Sequence, residues 1–118
     1  MHKPAYVNLT ANVYNRCLSI VRGYPDMCKR RAKLKTAIAA GQDDGRATAA
    51  EASLSIYINA VEMAIRDTAR DSAEEEFITK NLIEGIQMRH IDLPMSASSM
   101  KRVRKRFLEC LAYNLYEI

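Results

Sequence analysis

The sequence predicts an all-α chain, a compact bundle of about four to five helices forming one domain over residues 1–118. Apolar residues recur three and four positions apart through several long segments. No stretch alternates apolar and polar residues in the manner of a half-buried strand. The clearest breakers, Gly23-Tyr24-Pro25 and Gly41 to Gly45, fall between the periodic segments.

Residues 1–7 read as a leader. Asn8 or Thr10 can cap a first helix that carries Val13, Cys17, Ile20 and Val21 at helical spacing. Gly23 weakens the end of that helix, and Pro25 disfavours a helical residue before it. Proline fits a first helical turn, so a second helix runs from Pro25 to about Ala40 and completes the N-terminal region, residues 8–40. Its apolar line is sparse: Met27, Ala32, Leu34 and Ile38. Lys29, Arg30, Arg31, Lys33 and Lys35 take much of its remaining surface.

The loop at Gly41-Gln42-Asp43-Asp44-Gly45 leads into a central helix, residues 47–70, opened by Thr48 or a neighbour. Leu54, Tyr57, Ile58, Val61, Ile65 and Thr68 keep the rhythm of one buried stripe. Ser72-Ala73-Glu74-Glu75 has the capping-box pattern, and the acidic run suits a helix N-terminus. The helix it opens carries Phe77, Ile78, Leu82 and Ile86 and fades near His90, with Gly85 inside it allowing a close crossing.

Bulk properties narrow the function classes. The chain has 118 residues, 48% hydrophobic and 27% charged, the balance of a folded globular domain. No run approaches the roughly 18 apolar residues of a membrane span. The start, Met1 to Tyr6, lacks the apolar core of a signal peptide, so a cytoplasmic location is expected. Cys17, Cys28 and Cys110 form no close pair, and His2 and His90 sit at no ligand spacing. Reduced thiols and no metal or cofactor are therefore expected. No glycine-rich phosphate loop occurs, no Ser, His and acid fall in a recognisable catalytic pattern, and Glu74–Glu76 lack the histidines of a bundle metal site. An enzyme is not expected.

The net charge of +4 is unevenly spread. Residues 1–50 and 81–118 are net basic, and residues 51–80 are net acidic. A sequence pI near 9.1 is compatible with a nucleic-acid partner without establishing one.

The last quarter of the chain carries the strongest functional signal. Ser96 reads as an N-cap, with Met95 and Met100 spaced as a hydrophobic staple around it. Met100, Val103, Phe107, Cys110, Leu111, Leu115 and Ile118 share one side of the helix. Ser98, Lys101, Arg102, Lys105 and Glu109 lie on the opposite side, with Arg106 on a flank. Arg104 falls about 40° from the centre of the apolar stripe, so it is expected to snorkel outward or pair with a carboxylate. Cations near a helix N-terminus oppose the macrodipole unless an anion meets them. Small residues leading a run of Lys and Arg suit a helix that approaches a groove and reaches phosphates.

The segment Leu93-Pro94-Met95-Ser96, then Ser98-Ser99-Met100-Lys101-Arg102, then Arg104-Lys105-Arg106-Phe107 and Leu111-Ala112-Tyr113-Asn114-Leu115, resembles the C-terminal end of phage regulators of the RinA/ArpU type. Tyr14 with Cys17 to Pro25 is similar to their opening helix, and Ile58 to Ile65 to their central one. The resemblance implies late-transcription regulation by a protein related in outline to sigma-factor region 4. It further implies that residues 72–118 form a DNA-binding-like, helix-turn-helix-like pair. Region 4-like domains place a short scaffold helix before the recognition helix, where this chain offers only about Arg89 to Met95.

Two expectations follow. In the first, the terminal helix binds double-stranded DNA through Ser98, Ser99, Lys101, Arg102, Lys105 and Arg106, while Lys29, Arg30, Lys33 and Lys35 form a secondary basic patch. In the second, the chain is a protein–protein adaptor for RNA polymerase or a phage assembly partner, without direct DNA contact. A homodimer is natural for palindromic DNA. The central helix is the candidate seam, although its stripe is expected to pack inside one chain.

Overall fold

The computed structural model describes residues 9–118; the expected leader and Asn8 lie outside the described residues. Five α-helices follow one another: α1 (Ala11–Arg22), α2 (Tyr24–Ala39), α3 (Arg46–Thr68), α4 (Ser72–Phe77) and α5 (Ala97–Asn114). Helix α4 runs on as a π-helical segment, Ile78–Ile83, and a 3₁₀ turn spans Met88–His90. The described residues include no strand.

Thr10 caps α1, its Oγ1 accepting from the Val13 N–H at 3.3 Å. The break at Gly23 is one residue wide, because α2 already starts at Tyr24, one residue ahead of the expected Pro25. The start of α3 is set by Asp43 instead of Thr48. Asp43 Oδ1 accepts from the Gly45 N–H at 2.8 Å and the Ala47 N–H at 3.1 Å, and Oδ2 from the Thr48 hydroxyl. Gly45 permits this with φ 99°, a backbone angle costly for residues with a Cβ.

The α4 start is shifted by one residue from the capping box expected at Ser72. Asp71 is the cap, accepting from the Glu74 N–H at 2.9 Å, while Glu74 Oε1 reaches back to the Arg70 N–H at 3.0 Å. The helix also stops earlier than His90. Its ladder widens after Phe77, with the Glu84 N–H bonded to the Thr79 carbonyl at 2.9 Å, five residues back. Gly85 then turns the chain at φ 76°. It terminates the helix; it does not sit inside one to allow a crossing.

The core gathers one face from each of α1, α4, the π segment and α5, with the C-terminal half of α3. Cys17, Val21, Val61, Ala64, Phe77, Ile78, Leu82, Phe107 and Leu111 are fully buried within it. Helix α2 buries no residue. It lies along α3 from Glu51 to Glu62, where Leu54 and Ile58 are buried outside the main cluster. In α3, Tyr57 departs from the expected stripe and is 41% exposed. Among the described residues, no helix is long and apolar enough to cross a membrane.

Candidate nucleic-acid interface

Helix α5 starts where the sequence places it. Ser96 Oγ accepts from the Ser99 N–H at 3.1 Å, and Met95 and Met100 both pack on the core. Burial of Met100, Val103, Phe107, Leu108 and Leu111 fixes how the helix is rolled, so its other face must point outward. Ser98, Lys101, Arg102 and Lys105 are exposed on that face. None of Lys101, Arg102 and Lys105 forms an ion pair among the described residues. Arg102 Nη2 donates to Ser99 Oγ at 3.2 Å, and Ser96 Oγ donates to the same atom at 3.0 Å. Ser99 is thereby half-buried and committed to the cap, which leaves Ser98 as the exposed hydroxyl.

Two arginines of the run turn inward. Arg104 donates from Nη1 to Asn81 Oδ1 at 2.6 Å, and from Nε and Nη2 to the Tyr14 hydroxyl at 3.0 and 2.6 Å. Its guanidinium lies 5.8 Å from the Tyr14 ring centroid. Its partners are therefore neutral side chains, not solvent or a carboxylate. Arg106 Nη2 donates to the Thr68 carbonyl at 3.1 Å and to Glu74 Oε1 at 2.9 Å. The expected flanking contact is thus tied to the α3–α4 junction, with Arg106 24% exposed and Glu74 15%.

The outer face is shorter than the sequence suggests. Every residue from Phe107 to Ala112 is buried, including Leu108 at 1% exposure and Glu109 at 7%. Glu109 was expected beside the cations in solvent; it is buried instead. Leu115 caps the helix and Ile118 lies beyond it, so the apolar stripe ends before Ile118. The dipole conflict is also milder than expected. Lys101 is the fifth helical residue, past the first turn, where the helix N-terminus is felt most strongly.

On α2, Lys29, Arg30 and Lys33 are exposed and form no ion pair among the described residues. Lys35 approaches Glu51 Oε1 at 3.8 Å, and Arg31, half-buried, donates to Ser55 Oγ at 3.4 Å. Among the described residues, three of the four expected cations of this patch are therefore outside any ion pair.

The segment between the π helix and α5, residues 84–96, is longer than the expected link of Arg89 to Met95. It holds only the 3₁₀ turn Met88–His90 where a scaffold helix was looked for. The tight turn of about three to four residues that joins a DNA-binding helix pair is replaced by this longer connection. Among the described residues no group of three or more His, Cys, Asp or Glu is placed to hold a metal ion. Cys17 is buried, and that burial, with the nearby Glu117 charge, raises its thiol pKa to about 11. It is poorly suited to nucleophilic chemistry at neutral pH. Comparison with protein-family models, with curated proteins and with solved structures found no match.

Proposed function

We propose that the chain binds double-stranded DNA through the outer face of the first turns of α5, as a phage-derived regulator of transcription of the RinA/ArpU type. The observation that carries this reading is the exposed set Lys101, Arg102 and Lys105, none of them in an ion pair among the described residues, on a helix whose opposite face is locked in the core. Ser98 precedes them and lets the helix come close to a groove. The contacts are Ser98, Lys101, Arg102 and Lys105, with Lys29, Arg30 and Lys33 reaching flanking phosphates. Such a protein works in the cytoplasm and needs no cofactor.

The test is a salt titration of binding to fragments of the encoding element's own DNA, with the parent and Lys105→Glu. The variant is expected to bind more weakly and to show a shallower dependence of log K on log salt, by about one phosphate contact or more. Parent-like binding across the titration would overturn the assignment of this face.

One observation favours a second reading, that of an adaptor for RNA polymerase or a phage assembly partner. Residues 84–96 provide a 3₁₀ turn in place of a scaffold helix. Retention of polymerase with no retention on DNA at moderate salt would select that reading.

A further inference from the structure

Helix α3 has a second apolar stripe that the core largely leaves uncovered. Ala49, Ala52, Ile56, Ala60 and Met63 recur three and four residues apart, opposite the buried Leu54, Ile58 and Val61, and of these five Ala60 is taken into the core. A surface helix ordinarily carries charge there. At its upper end the stripe meets the end of the chain, where Asn114 Nδ2 donates to the Ala60 carbonyl at 3.2 Å. An open groove runs between the two, lined by Ile56, Met63, Tyr113, Tyr116 and Ile118 among others, with no charged side chain in its walls. Ile56 is 65% exposed and Tyr116 94%, and both project beside that groove.

We propose that this surface pairs with the same surface of a second copy of the chain. A two-fold contact requires one patch to supply both projection and recess, and Ile56 and Tyr116 stand next to the recess they would fill. The patch must also not repel itself. Two copies of net charge +4 repel through their exposed α2 and α5 cations, whereas no charged side chain lines this groove. The absence of cations equally sets it apart from any nucleic-acid contact. Tyr57 and Ile118, exposed by 41% and 42%, extend the patch. With roughly 150–250 Å² for a large aromatic side chain, these four residues supply on the order of half of the ~800 Å² each partner brings to a stable interface. The Arg16–Glu117 ion pair lies at the edge, as a polar rim does.

Sedimentation equilibrium of the full chain, from low-micromolar to several-hundred-micromolar concentration, tests this. The mass is expected to rise from 13.4 kDa towards twice that value. Ile56→Glu and Tyr116→Gly should each weaken the association by about tenfold or more, with unchanged circular dichroism. Tyr116→Gly keeps the fold because the residue sits at φ 59°, which glycine adopts freely. Weakened association in either variant, with helicity intact, supports the pairing. A parent mass that stays monomeric at every concentration overturns it, as does association undiminished in both variants. So does a parent that gains mass only with an added, different protein. Neither substitution touches the α5 cations, so failure here leaves the DNA reading to its own test.

Discussion

Arg104 Nη1 donates to Asn81 Oδ1 at 2.6 Å, joining the middle of the basic run to a buried residue of the π-helical segment. Asn81 passes the link on, its Nδ2 donating to the Ile86 carbonyl at 2.8 Å, just past the Gly85 turn. On its other side Arg104 holds the Tyr14 hydroxyl of α1. One side chain of the cationic run therefore pins three segments together, and the run splits into inward and outward members.

That split has a measurable consequence for stability. Arg104→Ala removes these bonds and leaves Asn81 Oδ1, on a residue only 4% exposed, without its partner. The expected loss is about 2–3 kcal/mol, since orphaning a buried acceptor costs more than the bond itself contributes. Lys101→Ala and Lys105→Ala, on the exposed face, should stay within about 0.5 kcal/mol of the parent. Urea unfolding of the three variants checks this. Equal losses would mean that Arg104 is as solvated as its neighbours.

Arg106 and Glu74 should couple energetically. Their 2.9 Å contact is mostly screened from solvent, and each has a second bond in place, to the Thr68 carbonyl and from the Arg70 N–H. A double-mutant cycle with Glu74→Gln and Arg106→Gln is expected to give a coupling of about 1–2 kcal/mol, above the usual surface pair. Additive losses would show the two charges to be independent.

What the sequence made legible follows from how local each signal is. Helix α5 was readable to the residue at its start because the Ser96 cap, the Met95/Met100 staple and the apolar stripe all agree. The wheel placed Arg104 beside the apolar stripe, but its inward turn was not readable: an outward head or a carboxylate partner was expected, and Tyr14, which holds it, lies 90 residues away. The caps of α3 and α4 were misplaced because several Asp, Ser and Thr residues compete within a few positions; tertiary contacts such as Arg106 on Glu74 favour one. Widening into a π helix leaves no periodic trace of its own. Leu108 and Glu109 sit off the apolar stripe and are buried because that end of α5 is enclosed on more than one side, which a single-helix pattern cannot register.

Thr68 offers a stabilising substitution. It is 2% exposed, and its Oγ1 has no hydrogen-bond partner among the described residues. Valine has nearly the same shape and removes the unsatisfied hydroxyl, while the Thr68 carbonyl remains available to Arg106. Thr68→Val is expected to stabilise the fold by about 1 kcal/mol, raising Tm by roughly 2–8 °C. A thermal melt showing no gain would place an unseen acceptor or donor at that hydroxyl.

The start of α3 should respond to acid. Asp43 is held below the usual carboxylate range, chiefly by the Thr48 hydroxyl and then by the Gly45 N–H, all of which favour the charged form. A carboxylate with a depressed folded pKa contributes fully above its unfolded pKa, and its contribution is lost as pH falls through the folded value. Between neutral pH and the ordinary carboxylate range the first turn of α3 should therefore be unchanged, and it should loosen only at more acid pH. Amide exchange at Gly45 and Ala47, whose N–H groups Asp43 Oδ1 accepts, reads this directly. In Asp43→Ala those amides are expected to exchange faster at every pH and to lose the acid-dependent step. A step that survives the substitution would have to come from another carboxylate near the turn, and Asp44, bonded to the Arg46 N–H at 3.1 Å, would be the one to test.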